Sequence, residues 1–587
     1  MIASLLYSGG WGMRGTRFAF GIGIIAAAVA AATQASTAAE PIYVAQGKDW
    51  KPAHRADFYT RDQGSPIIPM AWLRALKTEN GAPFLGDGLA RYGYLPNPTG
   101  KFNLPVGFMP TGPQGRDAGM NCAACHTRQI VVDGKDYRVD GGPALSDFGA
   151  FLRDLDSSVG RVLASDAAFA AFASAAIANG DPSGSAAALK PRVQAWYERY
   201  NTLVTRSLAG VDWGLGRLDA VSMIYNRLVG LDIGPAPSFL IPGNIAPADA
   251  PVRYPFLWNA PKQDRTQWPG FAKNGDRLFA MARNLGQVYG VFGVFQPQRR
   301  EDHVDFLVNN SANWDGLERI ETLVQKIGWP RWPWGYDARL AADGKKIFDR
   351  DDWRQGGCVG CHGKRSGAFR FIPPSSTWAT PLCDVGTDRK QYNILHRTVQ
   401  SGVFEGVRPP FGKPMGATAD TFQLLSTSVI GSIAQKRLGL NIFKYGQAPA
   451  PAEATRSGSG ISPISQLLGT YAPPTSEGCG KEGGPIKYES RVLEGIWATA
   501  PYLHNGSVPT LADLLKPAGD RPRAFRLGNR YDKALVGLAR DQGPSAKERD
   551  TKGCGDLDSG ESRCGHEYGT NLGDAEKRAL LEYLKSI

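Results

Sequence analysis

Two pentads in this chain carry the same chemistry: Cys122-Ala-Ala-Cys125-His126 and Cys358-Val-Gly-Cys361-His362. Two thiols three residues apart can add to the two vinyl groups of one porphyrin. The histidine that follows then lies under the ring and gives its imidazole to the iron. A C-x-x-C pair is also half of a zinc site or a redox dithiol. Zinc would want four suitable ligands and a thioredoxin-like dithiol a βαβ setting; neither is evident here, and the pentad occurs twice. The expectation is two covalently attached haem c groups, with His126 and His362 as iron ligands.

Four cysteines remain: Cys383, Cys479, Cys554 and Cys564. An even number suits disulfides in an oxidising compartment. Of three possible connectivities, Cys554–Cys564 with Cys383–Cys479 is favoured because the first closes a short loop. Export is expected on separate grounds. Arg14 and Arg17 precede an apolar run from Phe18 to Ala32, and small residues follow to Ala39. These are the parts of a secretory signal, with an apolar core too short to span a membrane comfortably. The expected location is periplasmic or secreted, with no membrane span in the mature chain. A net charge of +12 raises nucleic acid as a partner, but no basic run is long enough to form a stripe. The charge fits a solvated basic surface, haem propionates that offset part of it, and an acidic redox partner.

The elements that must position these groups follow from length and pattern. With 587 residues the chain exceeds one ordinary domain. The segment Trp329-Pro-Arg-Trp-Pro-Trp-Gly335 forbids a continuous helix and marks a connection. The expected division is a signal peptide at 1–39, an N-terminal haem domain at 40–328, a linker at 329–340 and a C-terminal cytochrome c domain at 341–587. Helices are expected at Ala341–Phe348, ahead of a haem loop at Gly356–Gly363, and at 575–587, where Leu580, Leu581, Leu584 and Ile587 recur at helical spacing. Others are expected at Asp147–Leu155 and Ala164–Ala178, the latter broken by Asn179–Gly184. Stretches 445–463 and 539–565, rich in Pro, Gly, Ser and charge, read as surface loops. Strand content looks low, so the expected fold class is mainly α: two cytochrome c-like haem domains with extensive loops and little β structure.

Several segments together resemble the bacterial di-haem cytochrome c peroxidase superfamily, and within it the large rubber-oxygenase-type proteins most of all. They are NCAACHTRQIVVDGKDYRVDGG (121–142), FLWNAPKQDRTQWPG (256–270), ARNLGQVYGVFG (282–293), GGCVGCHG (356–363), GIWATAPYLHNGSVPTLADLL (495–515) and GHEYGTNL (565–572). The resemblance implies that Trp268 lies between the haems and helps electrons pass. It also implies that Thr499 and Pro501 offer carbonyls to an inter-domain calcium, with Asn259 a looser match for a side-chain ligand.

The resemblance bears on the open iron faces as well. For the second haem the candidates are Met415, His504 and His566; His566 stands where the rubber-oxygenase type supplies histidine, and it is favoured. A bis-histidine iron is coordinatively full and suits electron transfer. At the first haem, the superfamily's peroxidases place a catalytic glutamate where this chain has Gln287, and a carboxamide cannot take a proton from peroxide. An iron face lined by Phe292 or Phe295 would favour dioxygen instead. The expected enzyme is a haem-dependent oxidoreductase that activates dioxygen or peroxide at the first haem, with the second as relay. By analogy its substrate is a small hydrophobic olefin such as a polyisoprenoid. The alternatives are a peroxidase fed by a small redox-protein donor, and an electron carrier without catalysis.

Overall fold

The first Cys-His pentad is held between two small sheets. In a computed structural model describing residues 40–367, 376–410, 412–446 and 487–587, Pro66–Pro69, Asp117–Met120 and Phe108–Thr111 form an antiparallel sheet with Asp117–Met120 in the centre. One residue later the chain turns into the short helix Cys122–Cys125. It then enters the hairpin Thr127–Val132 and Lys135–Asp140, whose second strand also pairs in parallel with Ile42–Tyr43. The hairpin turn is Asp133-Gly134, both residues at positive φ, as a two-residue turn between right-twisted strands requires.

The second pentad is framed by helices. Ala338–Phe348 precedes it, and Asp574–Ser586 packs across that helix with Ala579, Leu580, Leu581 and Leu584 buried. The two helices meet at Gly344, where a Cβ would stand 2.0 Å from the Ala579 carbonyl oxygen. Only glycine permits so close an approach. Further helices cover Phe148–Leu163, Asp166–Ala178 and Ala186–Ser207, each capped by an Asp or Ser side chain at its N-terminus.

The expected fold class needs correction. Helix accounts for 38% and strand for 15%, and the described residues form two three-stranded and seven two-stranded sheets. The molecule is therefore not mainly α, and two separate haem domains do not stand out. Residues 41–587 cluster as one unit. One hydrophobic core combines Trp50, Phe58, Ile130 and Trp258 with Phe348, Trp497, Tyr502 and Leu580. Trp332 and Trp334 of the Pro- and Trp-rich segment stack edge-on against Trp497, whose indole donates to the Pro330 carbonyl. The strands escaped the sequence reading because most are two to four residues long, too short to show a period of two.

The stretch 539–565 holds more structure than a surface loop. Lys547–Asp550 pairs with Ala524–Leu527, Arg549 and Cys564 are buried, and Cys554 and Cys564 are joined as a disulfide with Cα atoms 5.3 Å apart. Cys383 is also disulfide-bonded. Cys479, most of 445–463 and the signal segment lie outside the described residues. Among the described residues, no single helix is long and apolar enough to cross a membrane.

Candidate functional site

The second pentad opens on a cavity of about 1320 Å³, counting its mouth, lined by Cys358, Cys361, His362, His504 and His566. Its walls are largely aliphatic and aromatic. His362 faces His566 with ring centres 6.1 Å apart. A metal–imidazole bond is about 2 Å and the ring centre lies ~1 Å beyond its nitrogen, so two imidazoles on one metal ion place their centres about 6 Å apart. The His362 Nδ1 donates to the Arg491 carbonyl oxygen at 2.7 Å, which leaves Nε2 bare for a metal.

Both rings are held neutral, the form that binds iron. Burial lowers His362, partly offset by the Arg491 carbonyl. Burial, then His362 and Arg521, push His566 down to about 3. The thiols move the opposite way, Cys358 up to about 12, because burial disfavours the thiolate. A redox dithiol needs a lowered thiol pKa, so these pairs fit thioether attachment better than thiolate chemistry. Porphyrin iron thus suits this cavity: apolar walls, two thiols, and two neutral imidazoles at a matching separation.

His566 is positioned by its backbone. Its amide donates to Val385 at 2.8 Å, and Arg521 donates to the carbonyls of Gly565 at 2.7 Å and His566 at 3.1 Å. The disulfide ends at Cys564, two residues before. His504 lines the same cavity but stacks on Tyr488, ring centres 4.1 Å apart. Met415 lies in a different core, with Phe404 and Val407.

Burial, with Arg253 second, pushes His504 down to about 3, whereas an unfolded histidine titrates near 6.5. The unfolded chain therefore binds the extra proton as pH falls below about 6.5, and stability is lost by about 1.4 kcal/mol per unit towards the folded value. Replacing His504 with Gln removes this liability. The stability difference between His504→Gln and the parent should move in the variant's favour between pH 6 and pH 4, measured by denaturant unfolding. A difference independent of pH would contradict it.

At the first pentad, Asn121 caps the motif helix, its side chain accepting from the Ala123 amide at 2.9 Å and donating to the Phe58 and Arg61 carbonyls at 2.8 Å. His126 is pushed down to about 4 by burial; the Pro255 carbonyl opposes this and Arg491 adds to it. Cys122 and Cys125 rise to about 11 and about 12, again through burial. The Tyr254 ring lies 6.0 Å from His126. The Tyr94 hydroxyl, in the field of Cys125 and Tyr254, is buried without a hydrogen-bond partner among the described residues. Phe292, at φ 62°, packs edge-on against Phe148 and parallel to Tyr200, in the same core as Ala124 of the motif. Phe295 belongs to another core, stacked on Tyr289.

Gln287 is half-buried on the helix Arg277–Gly290. One turn earlier, Arg283 and Asn284 both bond Glu321, at 2.6 and 3.1 Å. Arg283 and Glu321 also act electrostatically on Cys122, Arg283 lowering its pKa and Glu321 raising it. Trp268 lines the second cavity, its indole donating to the Arg253 carbonyl at 3.0 Å. Of the expected calcium ligands, Asn259 gives its amide to Glu494 at 2.8 Å. The Thr499 carbonyl accepts from the Arg253 guanidinium at 3.4 Å, an arrangement that disfavours a second cation there. Pro501 lies beside Gly506 and Arg253.

Sequence reasoning missed the segment that joins the two sites. One short stretch, Arg253–Phe256, touches His126 with Tyr254 and the Pro255 backbone and lines the second cavity with Arg253 and Phe256. Its signal was faint, because the strand itself is only Val252–Arg253. Arg491 also reaches both sites: its carbonyl accepts from His362 and its charge acts on His126.

Comparison with known proteins bears on this region. A family model described as RoxA-like, cytochrome c-like matches residues 487–526, which contribute Tyr488, Arg491, Tyr502 and His504 to the cavity. An uncharacterized Sinorhizobium fredii protein, y4iJ, is 28% identical over 92% of this chain and 92% of its own length. A second from the same organism, y4iM, is 36% identical over 17% of this chain and 27% of its own. The matched segment supports a relationship to RoxA-type di-haem cytochromes, and with it haem c and a cytochrome-type function.

Proposed function

We propose that this chain is an exported di-haem c-type oxidoreductase of the rubber-oxygenase kind, within the wider di-haem peroxidase superfamily. One haem c is held by Cys122, Cys125 and His126, and the other by Cys358, Cys361, His362 and His566. The observation that carries the reading is the His362–His566 pair, 6.1 Å apart across a cavity that also presents both thiols. Haem bound at these two places supplies one-electron chemistry and reactivity towards dioxygen or peroxide.

The protein's own groups divide the labour. His362 and His566 together cap both faces of the second site, which suits electron relay. At the first site Phe292, Phe148 and Tyr200 pack together in the core that includes Ala124 of the motif, apolar surroundings that suit a hydrophobic olefin such as a polyisoprenoid. Trp268 and Phe256 of the second cavity, with Tyr254 beside His126, offer aromatic groups for electron passage between the two sites. Gln287 can donate a hydrogen bond but cannot take up a proton, which favours dioxygen over peroxide. The Cys554–Cys564 disulfide suits an oxidising compartment. A small acidic redox protein would serve as electron donor.

The test is expression in a host that matures c-type cytochromes, then intact mass and turnover of a polyisoprene emulsion under oxygen. Two haem masses and carbonyl-bearing cleavage products are expected. Donor-dependent peroxide consumption without such products would favour the peroxidase reading. No haem mass would remove the proposal altogether.

A further inference from the structure

Arg253 is a buried cation without an acid. It is 6% exposed, and the described residues place no carboxylate within ion-pair distance of it. Its Nε donates to the Leu503 carbonyl at 2.8 Å and its Nη1 to Thr499 at 3.4 Å, while Nη2 has no hydrogen-bond partner among the described residues. Glu489, the nearest acid on the cavity wall, forms its ion pair with Arg491 at 3.6 Å. On the strand ladder Arg253 stands directly opposite Arg217, and like charges so placed repel. Arg217 has Glu561 at 2.8 Å; Arg253 has two backbone carbonyls, the face of Trp268 4.8 Å away, and the field of Glu489, which it shares with Arg491.

A buried unpaired charge costs several kcal/mol, so the fold implies an anion for it. Arg253 lines the second cavity, and the rest of the lining narrows the choice. Phe256, Leu493, Ile496, Leu511, Leu514 and Leu580 make most of the wall apolar, which rejects a small hydrated anion. A ligand with a broad apolar body and an acidic edge fits. A porphyrin tethered by its vinyl edge to Cys358 and Cys361 carries its two carboxylates on the opposite edge. Arg253 comes from a different part of the chain, on the stretch that also touches the first site.

We propose that Arg253 binds a carboxylate of the second haem and thereby raises that haem's reduction potential. This rests on the di-haem reading above. A guanidinium presents a planar donor fork to a carboxylate, and its positive charge favours the more electron-rich state of the porphyrin iron. Trp268, stacked on the same guanidinium, holds it against the cavity.

The experiment compares the mature parent with Arg253→Lys and Arg253→Met. Intact mass counts the haems. Spectroelectrochemistry then gives the potential of the low-spin haem, and resonance Raman its propionate bending band. Arg253→Met is expected to keep both haem masses, shift that band, and lower the reduced-to-oxidised ratio at fixed applied potential roughly tenfold, about 59 mV for one electron. Arg253→Lys, which keeps the charge and serves as the second variant should Arg253→Met fail to fold, should shift the band and retain most of the potential. If haem is attached but neither band nor potential moves in either variant, the Arg253 proposal falls and the di-haem reading stands. If the parent gains no haem mass, both fall.

Discussion

His566→Gly is expected to convert one of two haems from low-spin to high-spin while leaving both covalently attached. Glycine is the right replacement because His566 lies at φ 51°, a left-handed conformation that alanine would enter only with strain. The backbone there is held by Val385 and Arg521, so deleting the imidazole should leave the loop in place. Absorption and electron paramagnetic resonance spectra of the oxidised variant would show the change. Carbon monoxide, refused by a coordinatively full iron, should bind the reduced variant stoichiometrically at this second haem. An unchanged low-spin signal would mean that another group closes the iron, and His504 on the same wall would be the first to replace. A variant losing a full haem mass would assign His566 to folding rather than ligation.

Much of the second site was legible because its signals are local. The pentad, the helix Ala338–Phe348 and the closing helix Asp574–Ser586 each announce themselves within a dozen residues, through thiol spacing or a 3.6-residue apolar period. His566 was reachable only through the resemblance, since nothing in its neighbours marks it; what aims it is Val385, Arg521 and the disulfide, all set by tertiary contact. The surroundings of the first pentad were far less legible. The strands about Cys122–Cys125 are four to six residues long, and Asp117-Ala-Gly-Met120 has little β-forming character of its own. It is a strand because Phe108–Thr111 and Pro66–Pro69 pair on either side of it. The same holds for Tyr254, Arg253 and Arg491. Their importance lies in touching both haem-motif sites, whose pentads are 236 positions apart, counted from Cys122 to Cys358, and no window on a single sequence contains that. The apolar face near Phe292 fell between: its residues are visibly aromatic, but which core each joins, Phe292 with the motif and Phe295 away from it, is settled by packing alone.

Gly107→Ala should damage the first site and spare the second. Gly107 lies at φ 81° and a Cβ there would stand 2.1 Å from the Ala124 amide nitrogen, backbone to backbone, inside the motif helix. Its amide donates to Tyr59 at 3.0 Å and its carbonyl accepts from Asn121 at 2.9 Å, so the position cannot rotate away without releasing the residue that caps Cys122–Cys125. The left-handed backbone and the forced displacement together should cost about 2–4 kcal/mol. Because the displaced atoms belong to the pentad, the loss should appear in chemistry as well as in stability: the mature variant is expected to carry mainly one haem, with peptide mapping showing unmodified Cys122 and Cys125 and intact thioethers at Cys358 and Cys361. The second site, framed by Ala338–Phe348 and Asp574–Ser586, makes no use of Gly107, so the low-spin spectrum of its haem should persist. Equal loss of both haems would show that the two pockets mature as one cooperative unit, as the stretch Arg253–Phe256 and the common core would then explain. Full attachment at both pentads would show that the motif helix tolerates a shift of its own backbone, contrary to the geometry at Ala124.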